Sequence, residues 1–125
     1  MKRIEFSDGS YLNYPTHQLL SEFIEGLSET AEFLVLTDTH QGFVQVMWGP
    51  RMGEPAGTFV IETKGPHVER QVRTVIDGRS SVEDVFGRFL NDDTSWVGDH
   101  EWEPVASAPP ETANPAWRPD ERTRY

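Results

Sequence analysis

The sequence predicts an α+β fold in which an antiparallel β-meander sheet of about five to six strands carries two amphipathic helices. Three extended runs, EFLVLTDT, GFVQVMWGP and GTFVIET, follow one another over residues 32–63 and are separated by short turn-rich links. One segment with helical apolar spacing precedes these runs, and a second one follows them. An amphipathic helix has to bury its apolar stripe, so both helices are expected to cover the sheet.

Before the three runs, the chain predicts a hairpin and then a helix. Residues 3–14 alternate polar and apolar side chains on both sides of a Ser-Asp-Gly turn, which is typical of a short hairpin. Thr16 is a favourable N-cap, and the helix after it is expected to end near residue 28. Its apolar stripe consists of Leu19, Leu20, Phe23, Ile24 and Leu27.

Alternation within the three runs predicts which side chains share a face of the sheet. The run beginning at Glu32 is apolar on both sides at its start, which predicts a central strand. In the second run one side is wholly apolar and the other only partly so. The two sets are Val44, Val46 and Trp48 on the first side, and Phe43, Gln45 and Met47 on the second.

The segment after the third run fits two structures. Residues 66–77 have apolar spacing compatible with a helix, but their β-branched residues also fit a strand, and we favour a strand over 71–77. Ser81 and Asp84 then form a start resembling a capping box for the second helix. The stripe of that helix is Val82, Val85, Phe86, Phe89 and Leu90, and a short last strand is expected over 101–105.

Length and composition indicate one domain over residues 1–105, followed by a Pro-rich tail over 106–125 that is expected to be extended or disordered. The absence of cysteine excludes thiol nucleophiles, thiolate zinc sites and disulfides, and it fits a cytoplasmic protein. No apolar run is long enough for a signal peptide or a membrane span. The net charge of -10 disfavours nucleic acid and anionic membranes as partners and favours a basic protein.

No catalytic or cofactor motif is found in the chain. It has neither a serine elbow of the form G-x-S-x-G nor a phosphate-binding glycine loop. Asp38 with His40, and the cluster at 99–101, each provide too few ligands for a metal site, which needs three or four. We therefore predict no enzyme activity, no cofactor and no metal, and a metal-assisted hydrolase using these residues is the least favoured alternative.

The best candidate for a binding surface is the segment after the second helix, where carboxylates and tryptophans occur together. Tryptophan provides anchor area at interfaces, and carboxylates steer a basic partner. The alternative is that both tryptophan rings fold back onto the sheet. The predicted partner-binding residues are Asp92, Asp93, Trp96, Asp99, Glu101, Trp102 and Glu103.

Part of this layout resembles the Imm1 family of bacterial immunity proteins from polymorphic toxin systems. The likeness covers roughly residues 30–103 and includes VQVMWGP, the strand and helix of TVIDGRSSVEDVFGRFLNDD, and the closing EWEPV. Phe86, Phe89 and Leu90 match the helix pattern of the family, and Trp102 matches its closing tryptophan. The resemblance implies a non-enzymatic inhibitor that binds a cognate toxin domain, often a nuclease or deaminase.

The leading hypothesis is therefore an immunity protein that neutralises a basic toxin domain through its acidic surface. The alternative is a small accessory or structural subunit that docks onto a larger assembly through its tail or a sheet edge. Deletion of residues 106–125 distinguishes the two, because only tail-mediated docking needs them.

Overall fold

The predicted α+β fold is confirmed by a computed structural model, which describes residues 1–105. The predicted tail, residues 106–125, lies outside the described residues. The described part contains one antiparallel sheet of seven strands, slightly more than the five to six expected, and two helices. The strands are β1 (Lys2–Phe6), β2 (Tyr11–Asn13), β3 (Phe33–Asp38), β4 (Gly42–Trp48), β5 (Thr58–Lys64), β6 (Val72–Asp77) and β7 (Glu103–Pro104), and the helices are α1 (His17–Glu25) and α2 (Arg79–Leu90).

The strands lie in the order β2-β1-β3-β4-β5-β6-β7. Strands β3 to β6 form the predicted meander, and β3 lies inside the sheet as its apolar pattern indicates. The hairpin of β1 and β2 also forms, with Asp8 accepting a hydrogen bond from the backbone N–H of Ser10 at 2.8 Å. It is β1 and not β2 that pairs with β3, because α1 carries the chain back across the sheet between them.

Local signals set the ends of the helices to different extents. The predicted N-cap of α1 is confirmed, since the Thr16 hydroxyl accepts a hydrogen bond from the N–H of Leu19 at 3.2 Å. The predicted capping box of α2 is wrong. Gly78 follows β6 and has a φ of 81°, a conformation that glycine adopts readily. This turn of the backbone lets the helix begin at Arg79, so Ser81 lies inside it. The segment before α2 is a strand, as favoured.

Both helices pack on one face of the sheet, where they enclose the hydrophobic core. Leu20 and Ile24 of α1 meet Val85 and Phe86 of α2 there, over Val44 and other strand side chains of that face. The face opposite the helices, which we call the open face, carries the alternate residues of the same strands. One cross-strand row of the open face is Glu5, Val35, Gln45, Glu62 and Arg73.

Candidate functional site

Asp93, one of the predicted binding residues, holds the turn after α2 together. Its carboxylate accepts a hydrogen bond from the N–H of Ser95 at 2.8 Å, and the Arg88 guanidinium lies 3.7 Å away. Hydrogen bonds from Ser95 keep the pKa of Asp93 below its usual value. Arg88 also donates to the Ser95 hydroxyl at 2.7 Å. This carboxylate therefore orders the short 3-10 helix Ser95–Asp99 that follows.

Asp92 fastens the same turn to the end of the sheet. It has a φ of 62°, and it accepts hydrogen bonds from the Lys2 ammonium at 2.6 Å and the Gln41 amide at 3.0 Å. Partial burial opposes the charge on Lys2, but the hydrogen bond to Asp92 and the nearby Asp38 raise the pKa of Lys2 overall. Asp92 is thus engaged inside the molecule.

Trp96 does not belong to an exposed surface, which corrects the prediction that it anchors a partner. Its side chain is fully buried and belongs to the hydrophobic core. The Trp96 ring makes edge contacts with His67 at 5.5 Å and with Trp102 at 5.8 Å between centroids. The turn set by Asp93 aims this ring inward, and burial of its large apolar area favours that direction. The alternative of a ring folded back onto the sheet is correct for Trp96.

Trp102 is half-buried and links the core to the surface. Its indole N–H donates to the carbonyl of Val97 at 2.8 Å, and its ring contacts His100 at 5.9 Å. One part of the ring packs on the core while another part reaches solvent. Trp102 is therefore the tryptophan of this segment that offers apolar area to a partner.

Three carboxylates surround Trp102 in sequence, namely Asp99, Glu101 and Glu103, and all three are exposed. None of them makes a hydrogen bond or a salt bridge within residues 1–105. We call Asp99, Glu101, Trp102 and Glu103 the acidic surface. Asp92 and Asp93 each face a cationic side chain within 4 Å, whereas the three carboxylates of the acidic surface do not. These three carboxylates are therefore available to a cation of a partner.

The predicted site is therefore divided by the fold. Asp92 contacts Lys2 at the start of β1, whereas Glu103 lies in β7 at the edge of the sheet. Four strands separate β1 from β7 in the sheet order. The seven predicted residues do not form one continuous surface, and the four of the acidic surface are those that remain together.

The structure also contains a buried polar cluster on the open face that sequence reasoning missed. Glu62, which is 3% exposed, accepts hydrogen bonds from the Gln45 amide at 2.9 Å, the Gln71 amide at 2.8 Å and the Arg73 guanidinium. The side-chain oxygen of Gln45 is buried without a hydrogen-bond partner in the described chain. The available signal was a glutamate within the apolar run FVIET.

Asp38, which was considered for metal binding, has a structural role. Asp38 accepts hydrogen bonds from the backbone N–H groups of His40 and Gln41, both at 2.9 Å, which closes the turn between β3 and β4. His67 is half-buried beside Thr63 and Trp96. Among residues 1–105, no group of three or more histidines and carboxylates is arranged to hold a metal ion.

These features define the class of the molecule as an α+β protein with a seven-stranded antiparallel sheet and an exposed acidic surface at one edge. Comparison with protein families, with curated proteins and with solved structures finds no match to this chain. Neither described helix is long and apolar enough to cross a bilayer.

Proposed function

We propose that this chain is a non-enzymatic immunity protein that binds and neutralises a cognate bacterial toxin domain through the acidic surface. The observation that carries the proposal is the set of three exposed carboxylates, Asp99, Glu101 and Glu103, which make no hydrogen bond or salt bridge within residues 1–105. A toxin that acts on nucleic acid offers a basic cleft, and complementary charge favours association with such a cleft.

Trp102 adds the second property that an interface needs. Interfaces depend on a few aromatic or arginine anchors within a polar rim, and Trp102 lies half-buried among the three carboxylates. Its indole hydrogen bond to Val97 fixes the ring before any partner arrives, which lowers the entropic cost of binding.

Titration of the purified protein against the toxin domain encoded beside it tests the proposal. The variant Asp99→Asn/Glu101→Gln/Glu103→Gln should bind roughly 10-fold more weakly, since exposed ion pairs contribute about 0.2–1 kcal/mol each. It should also lose much of the salt dependence of binding. No binding of the unaltered protein at micromolar concentration would contradict the proposal.

A matched control removes the same number of charges at the other end of the molecule. Glu25 ends α1, Glu29 lies in the link between α1 and β3, and Glu54 lies between β4 and β5, so none of them belongs to β7 or to the segment that leads into it. The variant Glu25→Gln/Glu29→Gln/Glu54→Gln should bind as the unaltered protein does. Equal weakening of binding by both triple variants would mean that affinity depends only on the net charge of the protein. That result would contradict binding through the acidic surface.

The alternative function, docking onto a larger assembly, is favoured by one observation at the sheet edge. β7 pairs only with Val72 and Arg73, so the outer edge of β6 beyond Arg73 has no strand beside it within residues 1–105. Val75 of that edge is 42% exposed. An extended segment of a partner could add a strand there. Val75→Lys should block such docking and leave toxin binding unchanged, because an edge lysine opposes strand addition.

A further inference from the structure

Hydrogen bonds fix one tautomer of His67, which lies in the link between β5 and β6. The Thr63 hydroxyl lies 2.7 Å from the carbonyl oxygen of Phe43 and 2.7 Å from Nε2 of His67. A hydroxyl has one hydrogen and a carbonyl oxygen can only accept, so Thr63 donates to Phe43. Thr63 must then accept from the His67 ring. The proton of the neutral ring is therefore on Nε2, and Nδ1 is unprotonated.

The unprotonated nitrogen of His67 has no acceptor beside it that could receive a second proton. Nδ1 is buried and makes no hydrogen bond within residues 1–105. The Trp96 ring lies against the His67 ring, and its buried indole N–H is a donor that also has no partner in that part of the chain. Phe89 of α2, at 6.4 Å between ring centroids, offers only an apolar ring. A proton on Nδ1 would thus bury a positive charge and an unsatisfied donor.

Charged side chains do not compensate such a proton. The charged or titratable residues of the elements around the His67 ring are Asp38 and His40 beside β4, Glu62 and Lys64 of β5, Arg88, Asp92 and Asp93 at the end of α2, Asp99 and His100 at the end of the 3-10 helix, and Glu69 and Arg70 in its own link. None of them makes a hydrogen bond or a salt bridge with His67 within residues 1–105. Burial lowers the pKa of His67, so the protonated ring is more stable in solvent than in its buried position.

We propose that protonation of His67 turns its ring away from Trp96 and thereby loosens the edge of the sheet that carries the acidic surface. His67 lies outside the strands, so its ring can leave without breaking the pairing of β5 with β6. Trp96 then loses a ring contact, and Trp102 packs on Trp96 with 5.8 Å between centroids. Strand β7 has only two residues and holds this edge weakly.

The release occurs on the acid side of the ordinary pKa of histidine, which is about 6.5. Because burial lowers the pKa of His67 in its folded position, the released and protonated ring gains population as pH falls below that value. The acidic surface is then fixed in place at neutral pH and loosened in acid. This inference does not rest on the proposed function, since it concerns the position of the surface and not the identity of its partner.

Fluorine NMR of the full chain tests the inference, with fluorotryptophan at the four tryptophan positions and signals assigned through single Trp→Phe variants. We expect the Trp96 and Trp102 signals to shift together between about pH 7.5 and about pH 5, with a midpoint below 6.5. The Trp48 signal should stay nearly constant, because Trp48 ends β4 and makes no ring contact with His67 within residues 1–105. Imidazole nitrogen shifts of the same protein should show the Nε2–H tautomer at neutral pH and the same midpoint for His67.

Two matched variants separate His67 from the histidine nearest to Trp102. His100 contacts the Trp102 ring directly, at 5.9 Å between centroids, and could shift its signal by its own titration. His67→Gln cannot be protonated in this range and should abolish the shifts of Trp96 and Trp102, whereas His100→Gln should keep the shift of Trp96. Persistence of the Trp96 shift in His67→Gln, or its loss in His100→Gln, would overturn the inference.

The unaltered protein decides the question even where His67→Gln does not fold. A Trp96 signal that stays constant while the His67 ring titrates would refute the release, and so would midpoints that differ by about one pH unit or more. Movement of Trp48 together with Trp96 and Trp102 would show acid unfolding of the whole domain, and it too would overturn the inference. Coinciding midpoints of His67, Trp96 and Trp102 with a constant Trp48 signal would support it.

Discussion

Replacement of Trp96 tests whether this residue stabilises the fold or binds a partner. The side chain is fully buried and contacts His67 and Trp102, so Trp96→Ala removes a large core side chain and leaves a cavity. Such changes cost about 3–5 kcal/mol of unfolding free energy. For a domain of this size the loss corresponds to a Tm lower by roughly 12–20 °C.

The variant Trp96→Phe is the matched control, since it keeps an aromatic ring in the core. The indole N–H of Trp96 has no hydrogen-bond partner in the described chain, so phenylalanine loses volume but no hydrogen bond. We expect a loss of only about 1–2 kcal/mol, with toxin binding unchanged at temperatures where the variant is folded.

Urea denaturation followed by circular dichroism measures both values, and a binding titration on the folded Trp96→Phe protein completes the assay. A loss of less than about 1 kcal/mol for Trp96→Ala would contradict the buried position of this ring. If a stable, folded Trp96→Phe protein bound the toxin much more weakly, Trp96 would have to contribute to the binding surface, which would contradict its assignment to the core.

Four further changes follow from local contacts, each measured by urea denaturation. Burial lowers the pKa of His67, so this side chain binds a proton more readily in the unfolded chain, where the pKa of histidine is about 6.5. The free energy of unfolding should therefore fall as pH drops from 7 to 5, and His67→Asn should reduce that fall. The same pH dependence in His67→Asn and in the unaltered protein would contradict this role of His67. Glu62→Ala should cost about 3 kcal/mol by leaving buried donors unpaired, and a neutral result would contradict the cluster. Gly42→Ala should lower the free energy of unfolding by about 2 kcal/mol or more, because the new Cβ would lie 2.0 Å from a backbone oxygen. The control Gly53→Ala, where a Cβ meets open space, should lower it by only about 1 kcal/mol. Thr16→Ala should cost about 1 kcal/mol, and no loss would exclude the N-cap.

The fold was predictable because its signals are local and repeated. The alternation in β4 correctly places Val44 and Val46 on the same apolar side, which faces the core, and helical spacing correctly identifies the apolar stripe that contains the buried residues Leu20 and Ile24. The start of α2 was mispredicted because a Ser-x-x-Asp pattern competes with Gly78, whose positive φ lets the helix begin three residues after Ile76. Both signals are short, and only the backbone path decides between them.

The candidate site was less predictable because its residues interact with distant parts of the chain. Asp92 looks like a solvated carboxylate in sequence, but its partner Lys2 is 90 residues away. Trp96 and Trp102 stand in the same acidic composition, and only the contact with His67 and the complete burial of Trp96 show that one ring is core. Composition identified the correct segment, and tertiary contacts divided it into structural and exposed residues.

The position of the acidic surface depends on aromatic packing more than on the sheet. β7 contributes only two residues to the ladder, which is too few to hold a strand at an edge on its own. The series of ring contacts from His67 through Trp96 to Trp102, together with the hydrogen bond from Trp102 to Val97, connects this edge to the core. Asp99, Glu101 and Glu103 can therefore stay exposed at a defined place, because the ring contacts beside them hold this edge of the sheet against the core.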